Sequence, residues 1–444
     1  MRTAQGTTAV GLVFIALATS SVLAAESMQR ESKQGLTVLV EAEGFEDHGG
    51  WVVDQQFMDQ MGSPFLLAHG LGVPVDDATT TVALPATGTY RVLVRTRDWV
   101  GPWNAPGAPG KFQLLIDGEA LPRLFGAEGA DWHWQDGGTA EITSPTVSLA
   151  LDDLTGFEGR CDAIVFTADP DFTPPGTARR AVAGPQMADF RRRALGLPDE
   201  PEEAGEFDFV VVGGGIAGTC AAISAARLGV KVALVQNRPV LGGNNSSEVR
   251  VGLSGKIRQD PYPALGDLVA EIAPTGYYDF LEAEKHPERP ESKSILAMDP
   301  VKRLHNAGPA SNYEDEKKLR VARSEKNLDL FLNRHAFRVE KQGDRIAAVI
   351  AKHVENGREL RFRAPLFADC TGDGNLGYLA GRNISVTHVA LGTVRVQKTT
   401  GMMGEVVGMA ASLSKKHNTD PRGVYQMHLD ELRQLMKRGL GADL

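Results

Sequence analysis

Residues 36 to 169 carry short apolar runs separated by Gly, Pro and Asp clusters: Thr37–Val40, Thr80–Leu84, Tyr90–Arg95, Phe112–Ile116, Val147–Leu151 and Ala163–Thr167. Each run has strand length. Tyr90–Arg95 alternates with period two, which places one face inside and one outside. Leu115-Ile116-Asp117-Gly118 closes a strand on a hairpin turn signal. The rhythm predicts a sandwich of antiparallel strands over 36–169. Residues 170–205 open on Asp171-Phe-Thr-Pro-Pro-Gly and close on Pro198-Asp-Glu-Pro-Glu-Glu, with a basic helical piece around Arg191–Arg193 between them, and read as a linker with one helix. From 206 to 444 the pattern turns α/β: strand Phe207–Val212, a glycine turn, helix Ile216–Leu228 and strand Lys231–Gln236. A small antiparallel meander follows (Asp329–Leu332, Phe337–Lys341, Arg345–Val354, Glu359–Arg363), then strand Leu366–Cys370 and helix Thr400–Ser414.

The 444 residues suffice for two or three cored domains, and a net charge of −9 argues against a nucleic-acid surface. At the start, Arg2, the apolar run Ala9–Thr19 and the small residues Val22-Leu23-Ala24-Ala25 have the form of a secretory signal peptide over residues 1–25. The reading implies an exported, periplasmic or extracellular protein with no membrane span after cleavage; an uncleaved anchor or a mis-assigned start codon is the alternative. The three cysteines, Cys161, Cys220 and Cys370, form no CxxC pair and are too few for a four-thiolate cluster. Cys220 and Cys370 read as core thiols.

Gly213, Gly215 and Gly218 form GxGxxG between a predicted strand and a predicted helix. The first glycine makes the tight turn, the second admits a pyrophosphate to the backbone, and the third lets helix and strand pack closely. The helix N-terminus then presents unpaired N–H groups to the phosphates. At the end of the second strand, where an acidic residue normally meets a ribose, stands Gln236, eighteen residues after Gly218. A Gln can hydrogen-bond ribose hydroxyls without charge. That departure weakens a generic NAD reading and leaves FAD open.

The next segment, Arg238-Pro-Val-Leu-Gly242-Gly243-Asn244-Asn245-Ser246-Ser247-Glu248-Val-Arg250, resembles the loop that closes over FAD in two-dinucleotide flavoproteins. Phe367-Ala-Asp-Cys-Thr371-Gly372-Asp373-Gly374 resembles their second motif. With the stretch NISVTHVALGTVRVQKTTGMMGEVVGMAASL, these motifs resemble the FAD-dependent oxidoreductase family of bacterial, often exported proteins, distantly similar to heterodisulfide-reductase-type flavoproteins. The resemblance covers about Phe207 to Gly439 and implies a Rossmann-like FAD-binding domain. It implies that Gly213, Gly215, Gly218, Gln236, Gly242, Gly243 and Asn244 contact FAD near its adenosine and pyrophosphate, and that Asp373, Arg382 and Asn383 lie near the ribityl or phosphate region. It further implies that Gly401 to Gly404 open a helix whose N-terminus faces the flavin ring. In the family a domain's worth of chain separates the second motif from the C-terminal one. Here Asp373–Gly381 runs straight into Arg382-Asn383-Ile-Ser-Val-Thr-His388, which implies an internally shortened chain, or a fault in the gene model, near residue 381, with much of the substrate domain missing.

The flavin carries the redox step, and protein groups position substrate and move protons. His388 is the candidate for proton handling, or else a structural histidine. Arg250 and Glu248 could meet substrate or pair with each other. Arg395 could bind an anion or a flavin oxygen, whereas His305 reads as solvated. No nucleophilic triad or zinc spacing occurs.

All five tryptophans, Trp51, Trp99, Trp103, Trp132 and Trp134, fall in the β-rich segment. They suit either sugar stacking or core filling. Val40–Glu43 and Cys161–Phe166 resemble the ends of carbohydrate-binding modules of the galactose-binding, jelly-roll type; that resemblance would put Glu41, Glu43 and Asp162 near a structural calcium. Together these observations predict an exported flavoprotein that oxidises a sugar or glycan-derived hydroxyl. Two alternatives stand beside it: a glycan-binding protein with a catalytically impaired flavin fold, and a polysaccharide lyase or glycosidase-like enzyme, for which no acid/base pair is evident.

Overall fold

A computed structural model describes residues 36–103, 106–176, 185–274, 283–297, 306, 308–381 and 396–440. The chain divides into two compact units, Met1–Asp199 with Glu355–Gly357, and Glu200–Val354 with Arg358–Leu444. The signal-like residues 1–25 lie outside the described residues. Among those described, no helix is long and apolar enough to cross a membrane.

The first unit holds β1 (Thr37–Glu41), β2 (Trp51–Asp54), β3 (Phe65–His69), β4 (Ala78–Ala83), β5 (Gly88–Thr96), β6 (Phe112–Ile116), β7 (Glu119–Ala120), β8 (His133–Ile142), β9 (Thr146–Asp153) and β10 (Phe157–Thr167). One sheet runs β2-β3-β10-β5-β8 with β1 on β10, and the other runs β4-β9-β6-β7. All their pairings are antiparallel. Tyr90, Val92 and Val94 of β5 share a core with Leu114 of β6 and Leu149 and Leu151 of β9. The alternation read in β5 thus points at the second sheet. The opposite face of the larger sheet offers Leu39, Leu93 and Val165, on which Trp134, Phe172 and Phe190 pack. Phe190 belongs to helix α1 (Pro185–Ala194), so the helix expected in a linker is docked on the sheet. β3 escaped the sequence pattern because FLLA is buried at every position and shows no alternation.

The dock is an arginine. Arg191 Nε meets Glu41 Oε1 at 2.6 Å, its Nη2 meets Asp162 Oδ2 at 2.9 Å, and its Nη1 donates to the Met61 carbonyl at 2.5 Å. Arg95 Nη1 joins Asp162 Oδ2 at 2.7 Å, and Ser63 Oγ donates to Asp162 Oδ1. Burial opposes the Arg191 charge, but Glu41 and Asp162 outweigh it and hold its pKa above the ordinary value. Glu43 lies beside them with one buried oxygen unpartnered. Burial, then the Glu41 and Asp162 carboxyls, push its pKa well above the ordinary value, which favours its protonated form. The three carboxyls do converge where a structural calcium was expected. A calcium does not fit, because the Arg191 and Arg95 guanidinium groups already occupy the Glu41 and Asp162 oxygens.

The second unit contains β12 (Phe209–Val212), β13 (Val232–Val235), β14 (Leu328–Phe331) and β18 (Leu366–Asp369) in one parallel sheet of order β14-β13-β12-β18. A second sheet runs β11-β17-β16-β15, from β11 (Glu202–Glu206), β15 (Arg334–Gln342), β16 (Arg345–His353) and β17 (Glu359–Arg363). Two expectations change. Leu328–Phe331 leaves the predicted meander and pairs along the whole of β13. Glu202–Glu206, expected in the linker, pairs parallel with β17, where Glu203 bridges Arg361 and Arg363. The unit also contains helices α2 (Ile216–Arg227), α3 (Asp267–Ile272), α4 (Asp315–Ser324), α5 (Asn375–Leu379), α6 (Gln397–His417), α7 (Pro421–Met427) and α8 (Leu429–Arg438), and a short helix over Pro290–Leu296.

Glu405, fully buried within α6, accepts N–H bonds from Gly266 at 3.1 Å and Val269 at 3.2 Å, at the start of α3. Burial moves its pKa from an ordinary value of 4.5 to about 7 despite those bonds. The folded chain therefore holds this proton more tightly than the unfolded one. The resulting stabilisation is complete below the ordinary carboxyl range and is lost as pH rises towards 7.

Two outcomes follow for stability. Arg191→Met strands Glu41 and Asp162 without their cation and should cost the first unit ~3–5 kcal/mol in urea unfolding, while EDTA leaves the wild-type transition of the first unit unmoved. Between about pH 5 and pH 8 the second unit should lose ~2–3 kcal/mol, and Glu405→Gln should flatten that slope.

Candidate functional site

The chain order of the parallel sheet reverses between β12 and β18, so a crevice opens at their C-terminal ends. Gly213 leaves β12 at φ 101°, a conformation that suits glycine, and a Cβ there would stand 2.3 Å from the Cys370 carbonyl oxygen. A Cβ on Gly218 would stand 1.8 Å from the Gly213 oxygen, so α2 packs directly against the turn. Gly215, the N-cap of α2, differs: a Cβ there meets nothing within 4 Å. The one glycine with free space thus faces the opening, beside the unpaired N–H groups and positive dipole end of a twelve-residue helix.

Gly242 and Gly243 lie against this turn. Gly242 donates its N–H to the Gly214 carbonyl at 2.8 Å, and a Cβ on Gly243 would be 3.1 Å from the Gly215 Cα. Asn244 is exposed, while Asn245 is buried and donates its side-chain amide to the Val251 carbonyl. The loop is propped from α4, which sequence reasoning missed. Asp315 accepts the Ser247 N–H at 3.0 Å. Lys318, fully buried with its Cε against Gly242, donates to the Tyr313 carbonyl and faces Asp315 at 3.6 Å. Burial lowers its pKa to about 8. Its sequence signal was a lysine on the same buried stripe as Leu319 and Ala322.

Gln236 is buried with its amide committed: Oε1 accepts the Gly214 N–H at 2.7 Å and Nε2 donates to the Val240 carbonyl at 3.1 Å. It ties the glycine turn to the strand end, rather than holding its side chain out for a ribose. Glu248 faces Arg238 at 3.9 Å instead of Arg250, whose Nε bonds the Ser247 carbonyl of its own loop. After β18, Asp369 accepts from Thr371 N–H and Oγ1 and from the Gly377 N–H, which fixes the Cys370–Gly374 bend, and Asp373 stands exposed on it. Burial pushes the Cys370 thiol up to about 12, and Cys161 and Cys220 well above the ordinary thiol value. None of the three is a ready nucleophile.

Gly401 and Gly404 do not open a helix. α6 starts at Gln397, and they sit inside it. A Cβ on Gly404 would lie 2.1 Å from the Ala217 oxygen, and one on Gly408 2.5 Å from the Ala221 oxygen. The stripe Gly401–Gly404–Gly408 instead lets α6 press on α2, an i, i+3, i+7 spacing already visible in GMMGEVVG. Arg382, Asn383, His388 and Arg395, with His305, lie outside the described residues.

The residues present fit FAD. Its pyrophosphate needs close backbone approach, a helix N-terminus and no intervening side chain, and Gly215 with α2 provides all three. A family model described as FAD dependent oxidoreductase matches residues 208–381 and 378–436, more than half of the chain. A soluble pyridine nucleotide transhydrogenase of Stutzerimonas stutzeri is 33% identical over 94 residues, which is 20% of each protein. The chain thus spans one fifth of that relative. Among solved structures, a geranylgeranyl bacteriochlorophyll reductase-like protein of Thermoplasma acidophilum is 22% identical over 41% of this chain and 44% of its own, with a TM-score of 0.25. The myxobacterial chondrochloren halogenase, an FAD-dependent enzyme, is 20% identical over 39% and 38%, with a TM-score of 0.23.

The two kinds of glycine should separate by mutation. Gly215→Val should leave the unfolding midpoint nearly unchanged but weaken FAD binding at least ~10-fold in a fluorescence-quenching titration, since only the ligand meets the new side chain. Gly218→Ala should instead cost ~2 kcal/mol or more of unfolding free energy and lower the midpoint, because its Cβ collides with the Gly213 backbone. The glycine cradle at the strand reversal and the family match agree: this chain belongs to the FAD-dependent oxidoreductase family, and FAD is its cofactor.

Proposed function

We propose that the protein is exported and oxidises a hydroxyl of a sugar or a glycan-derived compound. The observation that carries the sugar assignment is an aromatic cluster at the surface of the first unit. Trp103 is 70% exposed and packs edge-on to Trp99. Trp99 stacks on Phe157, itself 42% exposed, with the Arg160 guanidinium over its ring. Flat apolar faces beside charged donors suit the C–H faces and hydroxyls of a sugar. The other tryptophans do not contribute, since Trp51 and Trp132 are core residues and Trp134 lies under α1. In this reading the first unit is a jelly-roll-like carbohydrate-binding module, His388 handles the proton that leaves the hydroxyl, and Arg250 contacts the substrate. Gly242, Gly243, Asn244, Asp373, Arg382 and Asn383 line the cofactor.

One observation favours a second reading, a glycan-binding protein whose flavin domain is catalytically impaired. The family match falls in two segments that overlap at 378–381, where the two family motifs run together. A chain shortened there has lost substrate-facing wall while keeping its first dinucleotide layer.

The purified protein should hold FAD weakly and bleach slowly near ~450 nm with sugar alcohols. Fast, sugar-dependent bleaching would reject impairment, and product formation from polysaccharide without an electron acceptor would favour a lyase or hydrolase over both. Trp103→Ala should weaken retention on polysaccharide columns ~10-fold with no loss of FAD binding; unchanged retention would remove the sugar assignment.

A further inference from the structure

The last turn of α6 and the first turn of α8 bring three ligand-type side chains together, away from the glycine cradle. His417 ends α6, His428 stands between α7 and α8, and Glu431 lies in the first turn of α8. The two imidazole rings lie face to face, with centroids 3.7 Å apart and planes within 8° of parallel. Glu431 Oε2 meets His417 Nε2 at 2.7 Å, while its Oε1 is taken by the Lys416 ammonium. One donor atom from each of the three residues falls within 4.8 Å of the others, and all three residues are half-buried. Among the described residues no other group of three His, Cys, Asp or Glu side chains meets that geometry.

The scaffold around this group is packed. Met409 and Leu413 of α6, Val424 of α7 and Leu432 of α8 share a small core. Asp420 caps α7 by accepting the Gly423 N–H at 2.8 Å. The ligands therefore come from separate arms of a fixed helical hairpin rather than from a loose tail. Two imidazole nitrogens and one carboxylate oxygen are a donor set for borderline divalent ions. The hard cations calcium and magnesium prefer six or more oxygens, which this corner does not offer. Lys416 holds one carboxylate oxygen and so turns the other towards the imidazoles, the orienting part a neighbour plays beside a metal ligand.

We propose that His417, His428 and Glu431 form a binding site for a divalent transition ion of the zinc class, with solvent completing a four-coordinate shell. On binding, the ion replaces the proton shared by His417 and Glu431, and that proton leaves to solvent. The site clips α6 to α8, and α6 is the helix that presses on α2.

The test is calorimetric titration of ZnCl2 into the full-length, EDTA-stripped protein at about pH 7.5, paired with thermal unfolding. One ion should bind per chain with a Kd of about 10 µM or tighter and raise the melting midpoint. His428→Ala and Glu431→Gln should each weaken binding ~10- to 100-fold, and CoCl2 should give d–d absorption beyond the flavin bands in the wild type alone. Absence of wild-type binding below ~100 µM overturns the proposal, as does binding that survives both variants. Because the wild-type isotherm decides by itself, failure of either variant to fold leaves the proposal testable through the other.

Discussion

The second unit is organised by backbone against backbone at one point. Where β12 ends, the Gly213 carbonyl lies so close to Gly218, and the Cys370 carbonyl so close to Gly213, that neither glycine has room for a Cβ. This contact sets the entry angle of α2, aligns the helix N-terminus with the crevice between β12 and β18, and leaves Gly215 as the one position open to a ligand. Gln236 and the Gly242–Gly243 turn are both tied to Gly214, inside the same turn, by hydrogen bonds at 2.7 and 2.8 Å. Behind them, α6 reaches α2 by the same device, a stripe of glycines that removes side chains where two helices meet.

The cradle was legible in the sequence because its constraints are local. A turn that needs positive φ, a close packing point and an open face each demand glycine at a fixed spacing, and all three demands fall within six residues. The order of strand, turn and helix was readable for the same reason. What escaped were roles fixed by tertiary partners. Gln236 read as a ribose contact because its sequence place is where ribose contacts stand, yet its amide bonds Gly214 and Val240 and braces the glycine turn. Lys318 drew no reading, since its place on the stripe with Leu319 and Ala322 does not say that it lies under the Gly242 turn. Gly401 and Gly404 announced a glycine-rich segment without saying whether it bends or packs.

The first unit shows the same limit from the other side. Glu41, Glu43 and Asp162 were identifiable as converging acids, but their cation lies on α1, 29 residues beyond Asp162 in what read as a linker. No period or composition links Arg191 to those carboxylates; only the fold does. Charge balance then settles the chemistry of the pocket. Two arginines meet the Glu41 and Asp162 carboxyls, burial and those neighbours favour the protonated form of Glu43, and the cluster holds a helix where a metal could otherwise sit.

The central claim is that the dinucleotide lies over Gly215 at the N-terminus of α2. A crystal structure of the chain soaked with FAD tests it most directly. The account predicts pyrophosphate density against the Gly215 backbone, with phosphate oxygens within hydrogen-bond distance of the first free N–H groups of α2. Density for the pyrophosphate elsewhere, with the turn between β12 and α2 bare, would contradict it.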